Sequence, residues 1–191
     1  MDSVPISLLR QFVFCPRIPW FHLVESRRPP TPVWVRQGID HDRAQQALAA
    51  TRRYRRLGLA GCTAHSKPTL SSDRERIHGV PDLVLETNAS VVVTEYKLRR
   101  PGSMNGARLQ LAAYALVAAA RWGKDARWAA LITGRRMKVS WIAVTDGLIE
   151  QVRATVVAIE TIRNTPLLPE SPASGEKCAQ CEFLRFCNDR F

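Results

Sequence analysis

Val80-Pro81-Asp82-Leu83-Val84-Leu85-Glu86 and, beyond Thr87-Asn88-Ala89, Ser90-Val91-Val92-Val93-Thr94-Glu95-Tyr96-Lys97 are two aliphatic runs separated by a short polar turn. The pattern predicts a β-hairpin over 80–97. Alternate residues of a strand share a face, so Glu95 and Lys97 point the same way. The hairpin can bring Asp82 close to both. Val91-Val92-Val93 leads into the acid, so Glu95 emerges from a buried element, which makes a rigid platform for a site. Two acids converging on one point suit a hard divalent ion such as magnesium or manganese. Such an ion polarises a phosphoryl oxygen and lowers the pKa of a bound water, and a nearby ammonium neutralises developing charge. The set is suited to phosphodiester hydrolysis. An acid–x–lysine alone is common by chance and is better read as an exposed ion pair. Pro81-Asp82 at hairpin distance is what raises the chemical reading to parity.

The flanking sequence alternates helix and strand signals. Ser7 to Phe14 has helical spacing with Ser7 as a cap, and Cys15-Pro16 breaks it. Trp20, Phe21 and Leu23 form a second apolar patch, followed by a stiff basic loop, Arg27-Arg28-Pro29-Pro30-Thr31-Pro32. A long helix is predicted over 35–57, carrying His41 and Leu48 and ending on Arg52-Arg53-Tyr54-Arg55-Arg56, with Gly58 as its stop. A strand is predicted over about 62–70, before the hairpin. After it come an alanine-rich helix over 105–122, a strand pair over 127–133 and 137–144, and a helix over 146–163. A connector over 166–175 leads to a cysteine-bearing tail. The order predicts an α/β fold.

Three polar positions need individual weighing. His41 is read either as an ordinary helix residue or as a neutral nitrogen ligand to the same ion, which would favour manganese. Gln110 and Tyr114 lie four apart and share a helical face. Both can hydrogen-bond a phosphate or a base, or can simply form the polar edge of a buried helix. His22, His65 and His78 are read as structural.

Charge points to a polyanionic partner. The 191 residues carry 28 Lys and Arg against 17 Asp and Glu, a formal net charge of +11. An excess of that size suits nucleic acid, where neutralising several phosphates releases counterions. Arg52, Arg53, Arg55, Arg56, Arg99 and Arg100 are the candidate contributors. No apolar run approaches the roughly 18 residues of a membrane span. The first residues show neither a basic region nor an apolar stretch, which predicts no signal peptide and a cytoplasmic protein.

Five cysteines, Cys15, Cys62, Cys178, Cys181 and Cys187, are an odd number and do not read as a disulfide framework. Cys178, Cys181 and Cys187 crowd the tail and read as ligands. Three thiolates need a fourth to close a zinc site or an iron–sulfur cluster. Cys15, beside a proline in an aromatic patch, is the best candidate. Ligand count suits zinc and iron–sulfur equally. Cys62 has no partner and reads as an apolar filler.

Taken in order, Phe14-Cys15-Pro16-Arg17, Gly38 with His41, Gly79-Val80-Pro81-Asp82, Glu95-Tyr96-Lys97, Gln110 with Tyr114, and Cys178, Cys181 and Cys187 resemble the CRISPR-associated Cas-four family. These are RecB-like nucleases of the PD-(D/E)xK superfamily. The resemblance covers nearly the whole chain; each piece is weak and the ordered combination is specific. It implies a restriction-endonuclease-like core, a central mixed sheet flanked by helices. An amino-terminal helical segment and a carboxyl-terminal cysteine tail would be joined by a metal cluster. Within a single domain over 1–191, residues 1–34 and 165–191 would form the cluster-binding segment and 35–164 the nuclease core. It implies a [4Fe–4S] cluster on Cys15, Cys178, Cys181 and Cys187. It also implies Mn2+ or Mg2+ on His41, Asp82, Glu95 and the backbone carbonyl of Tyr96, with Lys97 assisting the attacking water and Gln110 and Tyr114 positioning DNA.

The implied activity is cleavage of single-stranded DNA or 3′ overhangs of prespacers during CRISPR adaptation. It goes with selection of the protospacer-adjacent motif and transfer to an integrase complex, to which some relatives are fused. Two other readings stand beside it: a non-catalytic DNA-binding or scaffolding module of the same complex, and a general RecB-like repair nuclease. The lack of a Walker-type phosphate loop weighs against a helicase fusion.

Overall fold

The computed structural model describes residues 3–27, 29, 54–59, 61–99, 101–134, 136–172 and 174–187. Helix α1 (Ile6–Phe14) and α2 (Arg17–Leu23) follow a short strand β1 (Val4–Pro5), and Tyr54–Leu57 forms a 3-10 turn. Strands β2 (Thr63–Ser66), β3 (Leu70–Ser72), β4 (Ile77–Gly79), β5 (Leu83–Glu86) and β6 (Val91–Lys97) come next. Then come α3 (Asn105–Trp122), β7 (Trp128–Thr133), β8 (Lys138–Ala143), α4 (Asp146–Arg163), α5 (Gly175–Ala179) and α6 (Leu184–Cys187).

The principal sheet has five strands in the order β2-β5-β6-β7-β8, antiparallel except for the parallel pair β6–β7. That pair is connected through α3, as a parallel crossover requires. Strand β6 is central, and the run Val91 to Tyr96 is buried throughout. The expected hairpin is present, with its turn tied by hydrogen bonds between Thr87 and Ser90. A second sheet, β1-β4-β3, has three strands and was not foreseen; a two-residue strand such as Val4–Pro5 is too short to show periodicity.

The main core lies between one face of the five-stranded sheet and helices α1, α3 and α4, with Val91, Val93, Ala129 and Leu131 meeting Leu9, Leu111, Ala112 and Ile159. Helix α3 is buried nearly all round, which its alanines permit by keeping the helix thin. At Gly106 the approach of α1 is so close that a Cβ would stand 2.9 Å from Arg10 Cγ and 3.1 Å from the Arg10 carbonyl oxygen. Helix α4 buries Leu148, Val152, Val156 and Ile159 on one stripe and is capped by Thr145, whose hydroxyl accepts from the Leu148 amide. The opposite sheet face carries Leu83, Leu85, Val92, Tyr96 and Ile132, met by Tyr54 and Leu57.

Several boundaries differ from the sequence reading. Pro5, not Ser7, is the N-cap of α1, and Ser7 sits exposed within the first turn. The aromatic patch at 20–23 is itself helical. The strand expected over 62–70 is broken at Lys67, which takes a left-handed φ of 46° before Pro68, so that β2 and β3 join different sheets. Of the helix expected over 35–57, residues 35–53 lie outside the described residues, and its end is the 3-10 turn followed by Gly58 at φ 69°. Among the described residues, no helix is long and apolar enough to cross a membrane.

Candidate active site and cysteine cavity

The hairpin register decides which side chains meet. Leu83 pairs with Thr94, and Thr94 in turn with Ala130. The next rung therefore sets Asp82 across from Glu95, with Leu131 on the far side of Glu95. Asp82 and Glu95 consequently share a face, and Lys97 lies two residues along it.

Glu95 is only 5% exposed, and a carboxylate buried that deeply needs partners. Two nitrogen donors meet it: Lys97 Nζ donates to Glu95 Oε2 at 3.3 Å, and Gln110 Nε2 donates to Glu95 Oε1 at 2.8 Å. Asp82 is held by the Tyr96 amide, which donates to Asp82 Oδ2 at 2.8 Å. Burial, together with a shared hydrogen bond and charge repulsion from Glu95, pushes the Asp82 pKa up to about 7. Two carboxyl groups so close do not both ionise comfortably unless a cation joins them. A hard divalent cation between the two carboxylates would offset that repulsion.

Helix α3 supplies the rest of the wall. Gln110 and Tyr114 are both buried on the helix face turned to the site. The Tyr114 hydroxyl donates to the Val80 carbonyl at 3.3 Å. Burial is the main cause that holds the phenol's pKa above its ordinary value, with the negative charge of Glu95 acting the same way. Gly79 makes room for the ring, since a Cβ there would stand 2.9 Å from Tyr114 Cε1. The Tyr96 side chain turns to the opposite face of the sheet, so at this site the residue acts through its backbone.

His41 lies outside the described residues, as do Arg52, Arg53, Arg100 and the side chains of Arg55 and Arg56; Arg99 is exposed on the loop after β6. His22 packs edge-on against Phe183 with ring centroids 4.9 Å apart. His65 bonds Glu86 at 2.7 Å, and His78 bonds Ser3 at 2.6 Å, all outside the Asp82–Glu95 pair.

The other constellation gathers at the chain ends. Cys15, Cys178, Cys181 and Cys187 line one cavity, walled by Phe14, Ile18, Phe21, Phe183 and Leu184. Phe183 is 1% exposed and stacks on Phe21 at 5.1 Å. Burial raises the Cys181 pKa, and the proximity of Cys15 and Cys187 acts in the same direction. Cys15 Sγ lies 3.3 Å from Ser171 Oγ, and Arg17 Nη1 donates to Cys187 Sγ at 3.2 Å. Four soft sulfurs in an apolar wall match the donor chemistry of an iron–sulfur cluster or zinc. Among the described residues, no group of three or more His, Cys, Asp or Glu side chains forms a site that could hold a metal ion as it stands. The thiols share a cavity, with Cys15 and Cys187 directed in part at Ser171 and Arg17. Cys62 stands apart from them, packed against the second core cluster.

Neither Arg17 nor Ser171 carried a role in the sequence reading. Arg17 was visible only as part of the Cys-Pro-Arg motif, and Ser171 had no signal at all within its proline- and serine-bearing connector.

Comparison with known proteins adds the family. The model of the PD-(D/E)XK nuclease superfamily matches residues 7–188. The CRISPR-associated exonuclease Cas4 of Francisella tularensis subsp. novicida (strain U112) is 35% identical over 188 residues, covering 98% of this chain and 95% of that protein. The chain belongs to the Cas4 family of PD-(D/E)XK nucleases. This Cas4-family chain is a nuclease, of a superfamily that works with divalent metal. The crystal structure of SSO0001 has the same fold, with a TM-score of 0.63 at 14% identity, covering 100% of this chain and 88% of that one.

Proposed function

We propose that this Cas4-family chain is a divalent-metal-dependent deoxyribonuclease acting on single-stranded DNA or on the 3′ overhangs of prespacers in CRISPR adaptation. It works in the cytoplasm, where it selects the protospacer-adjacent motif alongside an integrase complex, either as a partner or as part of a fusion. The single observation that carries the catalytic reading is the meeting of the Asp82 and Glu95 carboxyl groups one step beyond the Leu83–Thr94 pair, with Lys97 bonded to Glu95 at 3.3 Å.

Asp82 and Glu95, with His41 and the Tyr96 carbonyl, hold Mn2+ or Mg2+ in this reading. When bound, the ion supplies Lewis acidity toward a phosphoryl oxygen. Lys97 holds the attacking water and offsets charge developing on the phosphate. Gln110 orients Glu95 from the helix side, and Tyr114 fixes the loop before Asp82 through Val80. The net charge of +11 supplies affinity for the DNA backbone, with Arg99 and, from the sequence, Arg52, Arg53, Arg55, Arg56 and Arg100 as candidate contributors.

A [4Fe–4S] cluster on Cys15, Cys178, Cys181 and Cys187 ties segments 1–34 and 165–191 together beside a nuclease core over 35–164. Support comes from the shared cavity and its apolar wall.

The test is anaerobic purification with iron and sulfide quantification, followed by a manganese-dependent assay on overhang-bearing duplexes. Cleavage of the overhang that stops with chelator or with Lys97→Ala is expected. Full cleavage by Lys97→Ala would reject the assigned chemistry, and iron-free protein would reject the cluster. Equal cleavage of DNA with and without the motif would favour a general repair nuclease.

A further inference from the structure

Two polar side chains reach the sulfurs of the cysteine cavity without belonging to the cysteine set. Arg17, the first residue of α2, donates from Nη1 to Cys187 Sγ at 3.2 Å and from Nε to the Pro169 carbonyl at 2.7 Å. Ser171 Oγ lies 3.3 Å from Cys15 Sγ. Pro169 and Ser171 both belong to the connector between α4 and α5. One guanidinium thus spans the amino-terminal helix, the connector and the tail, while the connector itself sends a hydroxyl back to the amino-terminal cysteine.

The rest of the wall gives these contacts their weight. Phe14, Ile18, Phe21, Phe183 and Leu184 offer no charge to offset the four thiolates that a bound cluster would require. The ammonium of Lys177 is 5.9 Å from the Phe14 ring centroid, over its face. Concentrated negative charge in an apolar wall is costly unless it is paired or hydrogen-bonded. Guanidinium stays protonated at any working pH, and its planar fork can hold a carbonyl and a sulfur at once. Hydrogen bonds to ligand sulfurs withdraw electron density from them, which favours the more negative, reduced state of a cluster.

We propose that Arg17 and Ser171 tune the cluster, Arg17 through a charge-assisted N–H···S bond to Cys187 and Ser171 through an O–H···S bond to Cys15. This rests on the cluster reading given above. The two bonds fall on ligands from opposite ends of the chain, so the amino-terminal and tail cysteines are each held by an outside donor. Arg17 is a positioning residue here: it acts through Cys187.

The experiment uses full-length wild type, Arg17→Gln, Arg17→Lys and Ser171→Ala, purified anaerobically. Iron and sulfide are counted, then each protein is titrated with dithionite and followed by visible absorbance and paramagnetic resonance. Each cluster takes up one electron, which dithionite gives up. Arg17→Gln should make reduction at least about tenfold less favourable, a fall of about 59 mV for a one-electron couple. Arg17→Lys should lie between Arg17→Gln and wild type, because it keeps the charge and loses the fork. Ser171→Ala should shift the midpoint in the same direction by a smaller amount.

A purely structural role for Arg17 would change cluster content without moving the midpoint of the molecules still loaded, and that result overturns the proposal. If Arg17→Gln does not load, Ser171→Ala decides: an unchanged midpoint with full iron content overturns it. Iron- and sulfide-free wild-type protein overturns the cluster reading itself and this proposal with it, a result distinguishable from the others at the first step.

Discussion

The amide nitrogen of Gln110 donates to Glu95 Oε1 at 2.8 Å, joining the buried face of α3 to a carboxylate that is itself 5% exposed. A carboxylate with one oxygen on Gln110 and the other on Lys97 has little freedom to rotate. Partners that fix a metal-ligating group typically matter by about 10- to 100-fold when removed. Gln110→Leu keeps the volume and removes the donor, so it should lower kcat for DNA cleavage by about that factor while leaving KM for DNA nearly unchanged. Steady-state kinetics at saturating Mn2+ checks this. A loss confined to KM would assign Gln110 to DNA contact instead.

On the proposed assignment, Lys97→Ala and Asp82→Asn should both reduce cleavage by about 100-fold or more, since each would remove a group directed at the reacting centre. DNA binding, measured by anisotropy with Ca2+ in place of Mn2+, should stay within about threefold of wild type, because a net charge of +11 leaves ample phosphate affinity when a single residue changes. Equal loss of binding and cleavage would locate these residues in the DNA path rather than at the chemistry.

Why these residues could be picked out while the fold around them could not be fully drawn is a matter of range. The hairpin over 80–97 was legible because its period, its turn and its β-branched run agree, and strand geometry then fixes which side chains share a face. The helices Asn105–Trp122 and Asp146–Arg163 were legible to the residue because each ends where local chemistry ends it, α3 at a left-handed Gly123 with φ 61°. What failed was non-local. Val4–Pro5 becomes a strand only because Ile77–His78 lies alongside. The split of β2 from β3 follows from one left-handed residue, Lys67, whose amide donates to the Asp82 carbonyl at 3.1 Å. Likewise the meeting of Arg17 with Cys187 spans 170 residues of chain, and no local pattern encodes it.

Gly79→Ala probes the packing that steadies the loop into Asp82. An added Cβ would meet Tyr114 Cε1 at 2.9 Å, Tyr114 Oη at 3.0 Å and Ile6 Cβ at 3.3 Å. The phenol ring is buried between helix and sheet, so relief must come from moving α3 or the strand. Overpacking of this kind costs about 1–3 kcal/mol. We expect the unfolding free energy measured in urea to fall by that amount, together with reduced cleavage as Tyr114 loses its bond to Val80. Tyr114→Phe in the same background should add little further loss of activity, because the bond is already broken.

The high pKa of Asp82 makes stability depend on pH in a direction opposite to that of acids held as ion-paired carboxylates. Its ordinary value is 3.8 and its folded value about 7, so between those limits the folded state binds the extra proton. The contribution is fully present below about 3.8 and is lost as pH rises through about 7. Glu75 runs the other way: its hydrogen bond from Arg153 holds it below its ordinary value, so its contribution is lost as pH falls. Comparing wild type with Asp82→Asn removes that background. In chelator, the wild-type melting temperature should fall relative to Asp82→Asn as pH is raised from about 5 to about 8. Adding Mn2+ at the upper end should restore wild type and leave Asp82→Asn nearly unmoved, because a cation bound by the two carboxylates stabilises only the form that can ionise Asp82. Parallel pH profiles in chelator would mean that Asp82 is already ionised and that Glu95 is kept away from it by solvent.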